Sequence, residues 1–247
     1  MTGKRSVTSR GRMERPTSGP PAAEHPLGRV QRDWLMQAVR RATSAICRLT
    51  FEGRHHVPAD GAFLLIFNHT SNFDPPLLLA ATPRHDLIGL VAASYRQRAW
   101  ARFFVEASGS VWLERGVGDR GALTLATQAL HEGVPVGISP EGGRGRGSAV
   151  RRAKPGVAAI ADHAGVPIVP AGIVGANRIS RALWRGRRTE VRIRFGEAFR
   201  PTARPDLARK ARLQAQADEA MARVVALLPR DYHGVYAGLE ARAEAPR

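Results

Sequence analysis

From residue 29 almost to its end, the chain alternates short apolar runs with stretches of helical periodicity. Apolar runs predict six strands, at residues 62–67, 87–92, 110–113, 134–138, 168–173 and 191–195. Helical spacing of apolar positions predicts four helices, at residues 98–107, 120–132, 156–164 and 205–228. Such alternation predicts an α/β fold with a mostly parallel central sheet flanked by helices.

Residues 29–50 predict an amphipathic helix that precedes this domain. Its apolar positions recur at steps of three and four: Val30, Trp34, Ala38, Ala42, Ile46 and Leu49. Two interpretations are open: the stripe packs on the domain, as is commoner in soluble proteins, or the helix lies in a membrane interface. Residues 1–28, rich in Arg, Ser, Pro and Gly, predict a disordered basic tail. Residues 51–247 then form one α/β domain.

The charge of the chain indicates an anionic partner. Lys and Arg number 38 against 21 Asp and Glu, for a formal net charge of +17. Nucleic acid, an anionic membrane surface and phosphorylated substrates all fit this charge. The single cysteine, Cys47, excludes an intramolecular disulfide, favours a reducing compartment and is interpreted as a small apolar residue. No CxxC or HExxH spacing occurs, so no metal site is expected.

The segment from Asn68 to Asp74 carries the strongest candidate chemistry. It follows the first predicted strand and places His69 five residues before Asp74, in a loop closed by two prolines. An imidazole held by a carboxylate can take a proton from an alcohol near neutral pH. Taken alone, this spacing is more typical of an ordinary polar turn that caps a strand.

Two further segments place polar groups directly after predicted strands. Arg115 ends residues 109–115, and Glu141 precedes Gly142, Gly143 and Arg144. Glycines let a backbone approach a ligand closely, and arginine can bind a phosphate through two donors. Because ligands gather at the carboxyl ends of strands in open α/β sheets, His69, Arg115 and Glu141 are expected to meet at one edge.

A fourth segment, residues 166–172, has prolines at positions 167 and 170 around a predicted strand, which indicates a structural role, such as the wall of an acyl groove. In order, the four segments resemble the blocks NHxSxxD, GxxxIxR, PEGTR and VPIVPV of the glycerolipid acyltransferase family, that is, 1-acylglycerol-3-phosphate acyltransferases and their relatives. Lys154 and Gly156 resemble the Lys/Gly pair between the last two blocks. Gly143 stands where the family pattern has Thr.

The resemblance implies transfer of a fatty acyl group from a thioester, acyl-CoA or acyl carrier protein, to a hydroxyl of lysophosphatidate or a similar lipid precursor. By this resemblance, His69 is the general base and Asp74 fixes its tautomer. Arg115 and Arg144 bind the acceptor phosphate, and Glu141 orients Arg144 or an acceptor hydroxyl. Gly142 and Gly143 are expected to line the phosphate and oxyanion region. No cofactor is expected beyond the acyl donor.

An amphiphilic acceptor implies attachment to the inner face of the cell membrane. The basic tail, the helix with Trp34 and the arginines between Arg178 and Arg194 are expected to bind its anionic surface, with Trp184 at the interface. Two alternatives remain: a relative that acylates an amino-acid lipid or a glycolipid, and a basic nucleic-acid-binding protein. The second leaves His69, Asp74 and Glu141 without a role, and no nucleic-acid-binding motif supports it.

Overall fold

The protein is described here by a computed structural model that covers residues 29–113, 118–145 and 147–238. The predicted tail, residues 1–28, and Arg115 lie outside these described residues. The strands are β1 Cys47–Glu52, β2 Leu64–Phe67, β3 Ile88–Ala92, β4 Val111–Leu113, β5 Val136–Ile138, β6 Ile168–Val174 and β7 Thr189–Phe195. The helices are α1 Arg29–Ile46, α2 Asp74–Ala81, α3 Ala99–Ser108, α4 Gly118–His131, α5 Gly156–Ala164, α6 Ile179–Trp184 and α7 Arg209–Val225.

All seven strands form one sheet in the order β1-β7-β6-β2-β5-β3-β4. The five strands from β6 to β4 are parallel to one another, whereas β7 is antiparallel to β6 and pairs in parallel with β1. The expected α/β fold with a mostly parallel sheet is therefore confirmed. Its consequence for the site is that β2, β5 and β6 all end at the same edge.

Alternation along β2 divides the core between the two faces of the sheet. Leu64 and Ile66 pack with buried side chains of α4, α5 and α7. Leu65 and Phe67 face the other way and pack with buried side chains of α1 and α2. Successive side chains of a strand point to opposite faces, so a continuous apolar run here serves two cores in a three-layer sandwich.

The predicted N-terminal helix is shorter than expected, because it gives way to a strand that pairs with β7. The helix ends at Ile46, and Cys47 begins β1, in which buried and more exposed positions alternate. The Cys47 thiol is buried and donates a hydrogen bond to the Thr43 carbonyl, and burial raises its pKa to about 11. The thiol is therefore neutral and unreactive, as its interpretation as an apolar residue requires.

Only part of the predicted apolar stripe packs on the domain, because Ile46 and Leu49 pack against the core. Trp34 is 64% exposed, and Ala38 and Ala42 are exposed as well. The face that packs on α2 is built instead around Met36 and Thr43. Packing of the predicted stripe on the domain is thus confirmed for Ile46 and Leu49, whereas Trp34, Ala38 and Ala42 are exposed. None of the helices within the described ranges is long and apolar enough to cross a bilayer.

Candidate active site

The loop after β2 brings His69 and Asp74 together. His69 Nδ1 lies 2.8 Å from Asp74 Oδ2, and the Asp74 side chain is fully buried, whereas that of His69 is 20% exposed. Since an ionised carboxylate can only accept, Nδ1 carries the proton and Nε2 keeps its lone pair. A His–Asp pair in this arrangement can accept a proton at Nε2 from a bound hydroxyl.

The backbone of the same loop holds the Asp74 carboxylate. Thr70 N and Ser71 N each donate to Asp74 Oδ2 at 2.7 Å. Ser71 shapes the turn, because its hydroxyl accepts a hydrogen bond from Phe73 N and its carbonyl accepts one from Asp74 N. Asp74 is also the first residue of α2, where the helix dipole favours a negative charge. The carboxylate is therefore held in one position.

Asn68 fixes the end of β2 against the end of β6. Its side-chain amide donates to the Ile173 carbonyl at 2.9 Å and accepts from Ile173 N at 2.8 Å. Both groups are buried, so the pairing satisfies donors and acceptors that would otherwise be costly. This role was not predicted from the sequence, since only the folded chain brings residues 68 and 173 together.

Glu141 lies directly behind His69, with its side chain only 2% exposed. Its Oε1 accepts a hydrogen bond from His69 N at 3.0 Å, and its Oε2 accepts bonds from Arg151 N at 3.1 Å and Arg151 Nε at 3.3 Å. Gly145 N donates in return to the His69 carbonyl at 2.9 Å. The carboxylate thus contacts Arg151, not Arg144 as expected. No site role was predicted for Arg151 from the sequence.

The glycines after Glu141 form an open turn beside His69. Gly142 has φ +68° and Gly143 φ +146°, both in the region that favours glycine. Gly142 N donates to the Ser139 carbonyl, whereas the N–H of Gly143 has no acceptor among the described residues. An added Cβ at Gly142 would lie 2.5 Å from Lys154 Cε, so the bare backbone makes room for that lysine.

A cavity of about 910 Å³ opens beside the imidazole. Near His69 it is lined by Gly142, Gly143, Arg144 and Lys154. Phe67 packs edge-on against the His69 ring, and the rest of the wall is mainly apolar side chains of β2, α2, β3 and α3, among them Leu65, Leu78, Leu79, Leu90 and Phe104. One end of the cavity is therefore polar and basic, and the other suits a hydrocarbon chain.

The predicted wall at residues 166–172 is not part of this cavity. Ile168, Val169 and Ala171 are buried within β6, between β2 and β7, and none of the residues of this segment lines the cavity. The expectation of an acyl-groove wall there is wrong, because the cavity lies beside β2, β5 and β3, and β6 is on the other side of β2. The structural role holds, since β6 is the strand to which Asn68 is bonded.

A protein-family model described as Acyltransferase matches residues 48–174, about half of the chain. The chain belongs to the acyltransferase family. The family expected from the four motifs is thereby confirmed. A search of curated proteins gave no match.

The acyltransferase also resembles a solved structure, the 1-acyl-sn-glycerophosphate (LPA) acyltransferase PlsC from Thermotoga maritima. The two share 22% identity and a TM-score of 0.60, over 87% of this chain and 83% of that chain. At this identity the likeness establishes the fold. In this fold, six of the predicted site residues lie at one edge of the sheet, after the strand ends, as expected: His69, Asp74, Glu141, Gly142, Gly143 and Arg144. Arg115 lies outside the described residues, so its placement stays a prediction.

Proposed function

We propose that this acyltransferase moves a fatty acyl group from a thioester donor to a hydroxyl of lysophosphatidate or a similar glycerophospholipid precursor. The observation that carries the proposal is the His69–Asp74 pair at the junction of a basic and an apolar part of one cavity. The basic part suits an acceptor phosphate, and the apolar part suits an acyl chain. The PlsC structure, titled as an LPA acyltransferase, supports the same class of acceptor.

In the proposed reaction, His69 is the general base. Nε2 takes the proton of the acceptor hydroxyl as its oxygen attacks the thioester carbonyl carbon. The tetrahedral intermediate then collapses with loss of the thiolate, which receives the proton from Nε2. Asp74 stabilises the imidazolium that exists between these steps. A thiolate is a good leaving group, so the reaction needs no protein nucleophile.

The open N–H of Gly143 is the best candidate for an oxyanion donor. The sequence predicted both Gly142 and Gly143 for this region. The N–H of Gly142 is already bonded to the Ser139 carbonyl, so it is not available to an oxyanion. Preorganised donors at a developing oxyanion typically contribute about 10²–10³-fold to the rate. A glycine at φ +146° presents this backbone group without a side chain in front of it.

Arg144 is the proposed phosphate ligand at the cavity mouth. It is exposed, lines the cavity and forms no ion pair with another described residue. A guanidinium that is not neutralised by the protein is available to a phosphate. Arg115 keeps the same proposed role. Glu141 is proposed as a positioning residue, because both of its oxygens are bonded to the protein and it does not line the cavity.

The acceptor and the product are amphiphiles, so we place the enzyme at the inner face of the cell membrane. The exposed part of α1 supports this, since Trp34, Ala38 and Ala42 are all exposed on one face of the helix. A basic amphipathic helix with an exposed tryptophan is typical of helices that lie in a membrane interface. The net charge of +17 favours an anionic surface.

The proposal is tested by incubating the purified protein with radiolabelled acyl-CoA and a panel of lysolipids. Wild-type protein is expected to acylate lysophosphatidate or a close relative. His69→Ala should fold normally and lose about 10²–10⁴-fold in turnover, because the base is gone. His131→Ala is the matched control, since His131 is an exposed histidine outside the cavity.

Near wild-type turnover by His69→Ala would refute the mechanism. Acylation of amino-acid lipids or glycolipids alone would change the acceptor but keep the chemistry. Acyl carrier protein replaces acyl-CoA in a parallel assay, which identifies the donor.

A further inference from the structure

Exposed arginines flank an exposed tryptophan in the segment after β6. Trp184 is 91% exposed at the end of α6, and its neighbour Leu183 is exposed as well. Beside them lies a shallow depression of about 390 Å³. Its wall contains five arginines: Arg178, Arg181, Arg185, Arg187 and Arg188. Among the large apolar side chains of the described residues, that of Trp184 is the most exposed, and such exposure needs a reason.

The structure separates these arginines from those of the neighbouring strand. Arg192 and Arg194 both form ion pairs with Glu52, at 3.5 and 2.7 Å. By contrast, Arg178, Arg181, Arg185 and Arg187 have no carboxylate partner in the described parts of the chain. Like charges that are close together repel each other, so a cluster without internal compensation fits an anionic partner.

The cluster is held in place by buried anchors. Ala176 and Ile179 lie in the core at the start of this segment. At its other end, Arg188 donates to the carbonyls of Ser44 and Cys47, at the end of α1. Leu183 and Trp184 are thus presented on a short, fixed projection between two attachments to the domain.

The projection leaves the same edge of the sheet as the candidate active site. β6 is parallel to β2, and Asn68 bonds the end of β2 to Ile173 near the end of β6. His69 follows the first of these strand ends, and α6 follows the second. A membrane that binds this projection is therefore on the same side of the molecule as the loop that carries His69.

We propose that residues 178–188 form an interfacial docking element for an anionic bilayer, here called the docking projection. Trp184 and Leu183 insert among the lipid headgroups, and the unpaired arginines bind lipid phosphates. A basic site that binds an acidic protein would not require an exposed Trp next to a Leu. The headgroup region of a bilayer favours such a pair. The inference rests on the proposed function only in that the acceptor is a membrane lipid.

The test measures binding of the full chain to sedimented vesicles, without turnover. Vesicles of phosphatidylcholine are compared with vesicles that also contain phosphatidylglycerol, at low and high salt. Wild-type protein should prefer the anionic vesicles, and salt should weaken binding. Trp184→Ala should weaken binding to both vesicle types. Replacing Arg181 and Arg185 by Gln should lower partition to anionic vesicles roughly fivefold for each arginine.

Arg192→Gln is the matched control, since it removes one exposed arginine of the same region that is already paired. Equal loss from Arg192→Gln and Arg185→Gln would mean that only net charge matters and would overturn the proposal. So would unchanged vesicle binding in the Trp184 and Arg181/Arg185 variants. Loss of binding to acyl carrier protein with vesicle binding intact would assign the arginines to the donor instead.

Turnover with a short-chain, water-soluble acceptor separates the two proposals. The docking variants should match wild type in that assay, because the cavity is unaltered. If wild-type protein binds anionic vesicles through residues 178–188 but acylates no lysolipid, the proposed function fails and the docking projection stands.

Discussion

Two charged regions lie at the same edge of the sheet. They differ in whether their charged groups are bonded to other groups of the protein. Around His69, the carboxylates of Asp74 and Glu141 are buried and bonded to backbone N–H groups or to Arg151. In the docking projection, the guanidinium groups are exposed, and most have no carboxylate partner within the described residues. A group that must hold another group in position is satisfied within the protein, whereas a group meant for a partner is left open.

The largest expected effect comes from disturbing the buried carboxylate that holds the imidazole. Asp74→Asn keeps the size of the side chain but presents an amide to His69 Nδ1 and no longer stabilises the imidazolium. Turnover should fall about 10²–10⁴-fold. The measurement is kcat with the preferred lysolipid, with circular dichroism as the check on folding. Asp60→Asn, at an exposed surface position, is the control. Equal kcat in both variants would contradict a role for Asp74.

A smaller effect on turnover is expected at Glu141. Variants of this residue distinguish a role in positioning His69 from a role in binding the substrate. In Glu141→Gln, an amide N–H faces the donors of Arg151, which should lower the free energy of unfolding by about 1–3 kcal/mol. Displacement of the His69 backbone should lower kcat by up to about 10²-fold. KM for the acceptor should stay near wild type, because Glu141 does not line the cavity.

Steady-state kinetics of Glu141→Gln and Arg151→Gln decide this question. Both variants are expected to lower kcat, since they break the same ion pair from opposite sides. An acceptor KM that rises while kcat is unchanged would instead support the role predicted for Glu141 from the sequence, which is to orient Arg144 or an acceptor hydroxyl.

Gly142 offers a test of the packing beneath Lys154. Gly142→Ala adds a Cβ both at φ +68° and 2.5 Å from Lys154 Cε. Gly61→Ala is a matched control, because Gly61 has φ +74° and nothing lies near its added Cβ. Each should lose about 1–2 kcal/mol of stability from the left-handed conformation. Only Gly142→Ala should also lower kcat/KM, since Lys154 must move. A similar loss of activity in both variants would refute this packing role.

The smallest effect is expected within the docking projection itself. Arg188 differs from its neighbours because it donates to two carbonyls at the end of α1. Arg188→Gln should lower the free energy of unfolding by about 1 kcal/mol, the typical worth of a hydrogen bond to a helix end. Arg185→Gln should leave it unchanged. Denaturant titration of both variants measures the difference, and equal stabilities would show that Arg188 is not structural.

Most of the strands and helices were predictable because their apolar periodicity is local. β6 and α5 match the predicted segments closely, and the chemistry-bearing loops follow the strands as expected. β1 was missed, because Ile46 and Leu49 continue the helical spacing of α1 while Cys47–Glu52 is a strand only through its pairing with β7. Helix α2 was not predicted, because Asp74, Pro75 and Pro76 are typical of a loop, although prolines also fit the first turn of a helix.

The amino-acid sequence by itself determined the α/β class, the family, and the nearness of His69 to Asp74, which are only five residues apart in a loop that prolines restrict. The tertiary structure alone decided the partner of Glu141, the bond between Asn68 and Ile173, the exposed face of α1 and the division of the arginines into paired and unpaired groups. Local spacing sets which residues share a turn or a face. Contacts across about 70 or 100 residues depend instead on which strands become neighbours, and no short pattern in the chain records that order.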